Sequence, residues 1–90
     1  MKAVGYQKSY PVDHPQALVD IDLPAPVATG RDLLVEMRAV SVNPVDTKVR
    51  RGMPPPDGEW RVLGWDAAGV VRATGPEVTR FKPGDHVWYA

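Results

Sequence analysis

The chain has 90 residues, of which 11 are basic and 11 acidic, so its formal net charge is zero, and it has no cysteine. Balanced charge offers nothing to nucleic acid or to an anionic membrane surface, and no apolar run approaches the length of a membrane span. The lack of cysteine excludes disulfides, thiolate nucleophiles and thiolate metal sites, which favours a cytoplasmic protein. Its 10 prolines and 8 glycines exclude a helical bundle and predict a mainly β fold with many turns.

Two short strands are predicted first in the chain. Lys2 to Tyr6 forms one, and Ala17 to Leu23 forms the other, where acidic and apolar residues alternate. The residues between them, SYPVDHPQ, are typical of turns, so the two strands are predicted to pair as an antiparallel hairpin. A loop rich in proline and glycine, PAPVATGRD, follows.

A long strand from Leu33 to Val42 comes next, with side chains that alternate between two faces. One face carries Glu36 and Arg38 in its middle and becomes apolar at its end. Burial is therefore expected to deepen towards Asn43, where the periodicity changes.

A single-turn helix is predicted directly after this strand. Asn43 is a strong N-cap residue, Pro44 suits the first helical position, and Asp46 places a carboxylate at the third position, near free N–H groups. Gly52 is predicted to end the helix in a left-handed conformation. The proline-rich stretch from Met53 to Trp60 is predicted to be an exposed connecting loop.

The stretch LGWDAAGVVRATG, from Leu63 to Gly75, is the second informative part of the chain. Its small residues, Gly69 among them, indicate a bulge or the close approach of another backbone or a ligand, and a strand is predicted to start at Val70. Lys82 to Asp85 has the proline and glycine of a type II turn.

The last predicted strand runs from His86 to Ala90, and no cap, polar tail or turn follows it. The chain is therefore expected to be truncated. The open strand edge at Val87 to Tyr89 has no lysine or proline to protect it, so self-association is expected, and a homo-oligomer is predicted.

Few residues indicate chemistry by themselves, since the chain has no dinucleotide fingerprint, phosphate-binding loop or paired-histidine motif. His14 and His86 are expected to be solvated or at the core rim. Asp66 is either a perturbed acid, if buried, or an ordinary surface hydrogen-bonding group, and Asn43 alone is more often a cap than a ligand-binding amide. The three tryptophans are predicted to pack in the core or at its rim. The residues alone thus predict a small β-rich domain with a polar pocket near Asn43 and Trp65-Asp66.

Four segments in order, KAVGY, LLVEMRAVSVNPVDTKVRRG, VLGWDAAGVV and FKPGDHV, resemble the N-terminal part of the medium-chain dehydrogenase/reductase superfamily. The resemblance covers nearly the whole chain. It implies that residues 1–90 form most of a GroES-like β-barrel, called the catalytic domain, with one short helix. The Rossmann domain that binds NAD(P) in this superfamily is absent from the sequence.

The resemblance also bears on metal binding. Where zinc-dependent alcohol dehydrogenases have a cysteine ligand, this chain has Asn43, and where they have Gly-His-Glu it has Gly64-Trp65-Asp66. An amide and an indole cannot replace thiolate and imidazole at a tetrahedral zinc. The Asn-Pro-Val-Asp pattern is similar to the zinc-less quinone oxidoreductase branch. This branch implies hydride transfer from NADPH to a quinone or another conjugated carbonyl, without a metal.

The matching positions imply that Asn43 is a catalytic residue near the nicotinamide and the substrate oxygen, where donors take up developing negative charge. Asp46, Trp65 and Asp66 are expected to bind substrate or cofactor in the same cleft. Val45 stands where alcohol dehydrogenases have their proton-relay hydroxyl, which argues against alcohol oxidation, and no general acid is evident. The expected partner is a small-molecule carbonyl or quinone, not nucleic acid or membrane.

Two alternatives stay open. One is a stand-alone GroES-like binding module, and the other is a zinc-dependent alcohol dehydrogenase that takes its ligands from elsewhere. By itself the 90-residue segment is expected to be inactive, because the main cofactor-binding domain is missing.

Overall fold

The computed structural model describes residues 1–90 and is mainly β with one helix, as the sequence predicts. The elements are β1 (Lys2–Tyr6), β2 (Val19–Asp22), β3 (Leu33–Ser41), α1 (Pro44–Gly52), β4 (Arg61–Val62), β5 (Asp66–Thr74) and β6 (His86–Tyr89). They form two antiparallel three-stranded sheets, ordered β2-β1-β4 and β3-β5-β6, and no parallel sheet of the Rossmann type. The helix is too short and too polar to cross a membrane.

The chain divides into two compact units. The helix unit comprises residues 1–24 and 42–64, and the strand unit comprises residues 25–41 and 65–90. The first contains the sheet β2-β1-β4 and the helix, and the second contains the sheet β3-β5-β6.

The helix unit is built on β1, the middle strand of its sheet. The predicted hairpin is confirmed, since β1 pairs antiparallel with β2 from Lys2 opposite Asp22 to Gly5 opposite Val19. On its other side β1 pairs with β4, where Tyr6 lies opposite Arg61. Tyr6 is fully buried, and Ala17 and Val49 are buried in the same unit.

The helix is longer than predicted and ends differently. It has nine residues, not a single turn, and Gly52 is its last helical residue. The C-cap is Met53, at φ −130°, and its N–H donates to the Val49 carbonyl at 2.9 Å. The predicted left-handed stop at Gly52 is wrong, because this hydrogen bond continues the helical pattern through Gly52.

The strand unit is built on β5, which lies between β3 and β6. Its most buried residues are Ala67, Val70 and Val71. The strand begins at Asp66, four residues before the predicted start. Gly69 is where the backbones of β5 and β3 approach closely, as the sequence indicates. A Cβ at this position would overlap the carbonyl oxygen of Glu36 on β3.

Burial along β3 runs opposite to the prediction. Its first three residues are half-buried and the rest are exposed, with Val40 68% exposed. Two register shifts interrupt the ladder with β5, and β3 is an edge strand that pairs on one side only. Trp88 on β6 is 82% exposed, so its predicted packing in the core or rim is also wrong.

The turn before β6 is confirmed. The Asp85 N–H donates to the Lys82 carbonyl at 3.1 Å, and Gly84 has φ +97°, the sign that a type II turn requires at that position. The Asp85 carboxylate accepts from both the backbone N–H and the ammonium of Lys82 at 3.1 Å. These hydrogen bonds to Lys82 hold the pKa of Asp85 below its usual value of 3.8.

Candidate functional site

Asn43 begins the helix as the sequence predicts. Its backbone is extended, with φ −125° and ψ 166°, and Pro44 follows at the first helical position. The Asn43 N–H donates to Asp46 Oδ2 at 2.8 Å, and the Asp46 N–H donates to the Asn43 carbonyl at 3.0 Å. The first of these hydrogen bonds is the carboxylate half of a capping box, and it fixes the backbone from which the Asn43 carboxamide extends.

Asp46 is 6% exposed, the one charged residue in the buried core. Its Oδ2 accepts the Asn43 N–H, whereas its buried Oδ1 has no hydrogen-bond partner in the protein. A buried acceptor without a donor is costly, and such groups commonly accept from ordered water or from a ligand. Asp46 therefore supports the cap at Asn43 through Oδ2, and its Oδ1 is left without a hydrogen-bond donor.

The helix itself is polarised. Asp46 lies in its first turn, and Arg50 and Arg51 lie in its last turn, which matches the helix dipole. The half-buried Asn43 carboxamide lies at the positive end and carries both a donor and an acceptor. This end of the helix can accordingly stabilise negative charge that develops on a ligand oxygen.

Trp65 and Asp66 lie in the strand unit, next to each other in the chain. Gly64 precedes them with φ +121°, a conformation that side chains with a Cβ rarely adopt. Asp66 opens β5 and pairs with Ser41, the last residue of β3. The structure thus brings Asn43 and Asp46 together in the helix unit, and the prediction that Trp65 and Asp66 line the same cleft stays a prediction.

The residues of this chain do not fit a zinc ion. Zinc needs three or four thiolate, imidazole or carboxylate ligands, and no three such side chains cluster here. The His14 ring stacks on Tyr10 with centroids 3.9 Å apart, and its Nδ1 accepts the Gln16 N–H at 3.0 Å. His86 lies at the start of β6, in the other unit.

Two features escaped the sequence analysis. Tyr6 and Arg50 form hydrogen bonds to backbone carbonyls 40 or more residues away in sequence, which no local pattern signals. The strand unit also has an open, mostly apolar groove of about 750 Å³ between its residues 26–37 and 81–89. None of the four predicted site residues lines this groove.

Residues 29–90 match the sequence profile of the alcohol dehydrogenase GroES-like domain. The whole chain is 41% identical to a zinc-type alcohol dehydrogenase-like protein of Staphylococcus epidermidis and covers 26% of it. Over 60 residues, 67% of this chain and 18% of the relative, it is 48% identical to a quinone oxidoreductase of Pseudomonas aeruginosa.

Two solved structures extend these similarities. The chain matches a protein of Rhizobium etli, provisionally described as a zinc-dependent alcohol dehydrogenase, with 60% identity and a TM-score of 0.93. It matches Escherichia coli quinone oxidoreductase, solved in complex with NADPH, with 31% identity and a TM-score of 0.84. Each match covers 100% of this chain but only 26% and 27% of the other, so the chain spans about a quarter of the length of these proteins.

Proposed function

The chain belongs to the alcohol dehydrogenase GroES-like domain family of the medium-chain dehydrogenase/reductase superfamily, and we propose that it is the substrate-side segment of a zinc-independent oxidoreductase. The proposed reaction is NADPH-dependent reduction of a quinone or another conjugated carbonyl. In this proposal residues 1–90 form one N-terminal catalytic domain of a cytoplasmic homo-oligomer. Its cofactor is held mainly by a Rossmann domain outside these residues.

The observation that carries the proposal is the fixed position of Asn43 at the start of α1. Reduction of a conjugated carbonyl moves electron density onto its oxygen, and without a metal that charge needs hydrogen-bond donors. The Asn43 carboxamide supplies N–H donors at the positive end of a helix, on a backbone fixed by Asp46 at 2.8 Å. A bound nicotinamide supplies the hydride.

Zinc independence is supported by the side chains that stand at the two ligand positions. Asn43 and Trp65 offer an amide and an indole, and the chain has no cysteine and no cluster of three metal-binding side chains. Several similar proteins are nevertheless named zinc-type, so the test is to measure the zinc content of the protein directly. We expect less than stoichiometric zinc by elemental analysis of zinc-supplied protein. Stoichiometric zinc that is lost in Asn43→Ala or Asp66→Ala would favour the zinc-dependent alternative.

The remaining predicted residues have supporting roles in the proposal. Asp46 holds the Asn43 backbone through its Oδ2, and it is also proposed to bind substrate or cofactor. Trp65 and Asp66 are proposed to bind substrate or cofactor. Val45, half-exposed in the first turn of α1, offers no hydroxyl for a proton relay, so alcohol oxidation is not proposed.

The test is the oxidation of NADPH by 1,4-benzoquinone, catalysed by the intact protein. Asn43→Ala removes the donor, and we expect kcat to fall about 100-fold, the typical effect of losing one donor to a developing oxyanion. Asn43→Ser keeps an N-cap oxygen and should lose much of the activity while it retains stability. Thr47→Ala is the matched control, since it removes a 2.8 Å hydrogen bond to the Pro44 carbonyl on the exposed side of the same helix. Full activity in Asn43→Ser would leave Asn43 as a cap alone.

A further inference from the structure

The last turn of α1 is held to the rest of the helix unit by long-range hydrogen bonds. Along the nine residues of α1 only Asp46 and Val49 are buried, and Asp46 is engaged with the cap. Val49 is thus the single apolar anchor of the helix. Two side chains complete the attachment, Tyr6 on β1 and Arg50 in the last turn of α1.

Tyr6 provides the first attachment. It is 0% exposed, and the single proton of its hydroxyl is shared between the Met53 carbonyl at 2.8 Å and the Val49 carbonyl at 3.0 Å. Carbonyls in the last turn of a helix lack some of their helical partners, so a side-chain donor there stabilises the helix end. Because Tyr6 is also paired with Arg61 in the sheet, its hydroxyl fixes the last turn of α1 to β1.

Arg50 provides the second attachment. Its guanidinium donates to the Tyr10 carbonyl at 2.8 Å, a charge-assisted hydrogen bond in a partly buried setting. The Tyr10 ring in turn stacks on His14, with an interplanar angle of 6°. The loop that accepts from Arg50 is therefore ordered by contacts of its own.

We propose that Tyr6 and Arg50, together the α1 clamp, are positioning residues that determine where the Asn43 carboxamide lies. A nine-residue helix is a rigid rod of about 13 Å, so a shift of its last turn also moves the first turn, which follows Asn43. Displacement of a catalytic group by about 1 Å can cost up to 100-fold in rate. This inference rests on the proposed function of Asn43.

The experiment removes each hydrogen bond with a minimal change in the intact enzyme. Tyr6→Phe removes one hydroxyl, and Tyr89→Phe is its control, since the Tyr89 hydroxyl meets only the Met37 sulfur at 3.8 Å. Arg50→Gln removes the guanidinium, and Arg51→Gln changes the exposed neighbour. We expect kcat for benzoquinone to fall about tenfold in each clamp variant. In the clamp variants, KM for NADPH should stay within about twofold of the parent value. In both control variants, kcat should also stay within about twofold of the parent.

Kinetics are measured at a temperature where thermal melts show every variant folded, with rates expressed per cofactor-binding site. A merely structural role lowers the melting temperature and the number of sites but leaves kcat per site unchanged, and that result would overturn the inference.

The double variant Tyr6→Phe/Asn43→Ala shows whether the clamp acts through Asn43. If it does, the double variant is no slower than Asn43→Ala alone, because the positioned group is already gone. Additive losses would mean that Tyr6 acts elsewhere and would overturn the inference. The failure of the proposed function looks different. In that case Asn43→Ala alone retains parental kcat, whereas failure of the clamp alone leaves Asn43→Ala impaired and Tyr6→Phe unaffected.

Discussion

The two units of this protein treat their polar groups differently. Three side-chain atoms are buried without a hydrogen-bond partner, Ser9 Oγ, Asp46 Oδ1 and Arg61 Nε, and all three belong to the helix unit. In the strand unit, charged side chains are paired at the surface. The Glu36 carboxylate meets Arg38 and Arg72, and Lys82 meets Asp85.

The difference teaches where to look for function. Folded proteins leave few buried polar atoms unpaired, and those that persist concentrate at functional or strained sites. The strand unit is held by a long ladder of strand pairs, and none of the three buried unpaired atoms lies in it. The helix unit carries the capped Asn43 and the unpaired Asp46 oxygen, so it is the unit to test for ligand binding.

The largest expected effect is in the strand unit, at Gly69. In Gly69→Ala the new Cβ would overlap the Glu36 carbonyl and lie 2.8 Å from Val35 Cγ1, so β3 must move away from β5. We expect a loss of about 3 kcal/mol in the free energy of unfolding, at the upper end for overpacking. Urea unfolding of the intact protein, with hydrogen exchange on β5 amides, measures it. A loss under about 1 kcal/mol would show that β3 can move away from β5 at Gly69 at little cost.

A smaller effect is expected at the cap of α1. Asn43→Ala should lower the free energy of unfolding by about 1 kcal/mol, because the N-cap side chain is lost from the capping box. Asn43→Asp retains a capping oxygen and should cost much less. Thermal melts and hydrogen exchange in α1 distinguish the two variants. Equal stability of Asn43→Ala and the parent would mean that the Asp46 half of the box suffices.

Gly52 is the matched glycine in the helix unit. Its substitution by alanine is expected to raise the free energy of unfolding, whereas the substitution at Gly69 lowers it. It is helical, has no positive φ, and a Cβ there would meet nothing within 4 Å. Gly52→Ala should therefore stabilise by about 0.5 kcal/mol, because alanine loses less backbone entropy in a helix. The same urea titration used for Gly69→Ala measures it. A loss of 1 kcal/mol or more, about the cost of a β-carbon in the left-handed region, would restore the left-handed stop predicted from sequence.

The smallest effect is at the surface pair of the strand unit. A hydrogen bond from Arg72, opposed by desolvation and assisted by the charges of Arg38 and Arg72, holds the pKa of Glu36 below its usual value of 4.5. A carboxyl with a lowered pKa stabilises the fold above its usual pKa, and this contribution is lost as pH falls through the lowered value. Glu36→Gln should be slightly less stable than the parent at neutral pH, and the difference should vanish in acid.

Salt provides the control for this last effect. Because the pair is solvent-exposed, the difference at neutral pH should also shrink in about 1 M NaCl, where charges are screened within a few ångströms. Glu59→Gln in the helix unit is a matched variant, because the Glu59 side chain is exposed and forms no ion pair. A difference between Glu36→Gln and the parent that persists through acid would attribute the effect to packing.

Local interactions were predictable from the sequence because the residues that form them are close along the chain. The cap at Asn43, the proline after it and the Asp46 carboxylate span four residues and appear in the structure as predicted. The turn at Lys82 to Asp85 is equally local. The first strand, the antiparallel hairpin and the mainly β class also follow from short-range patterns.

Tertiary structure decided whatever depends on which surfaces meet. Alternation along β3 could not show that its end stays uncovered, because burial depends on neighbours supplied by other segments. Glycines look alike in sequence, yet Gly69 is required by the Glu36 carbonyl of a neighbouring strand, whereas Gly52 is an ordinary helical residue. The hydrogen bond from Tyr6 to Val49 joins residues 43 positions apart, and only the pairing of β1 within its sheet and the packing of α1 bring them together. The sequence alone determined which polar groups stand at the start of α1, those of Asn43 and Asp46. Long-range packing determined which residues hold the helix in position, because those residues are distant along the chain.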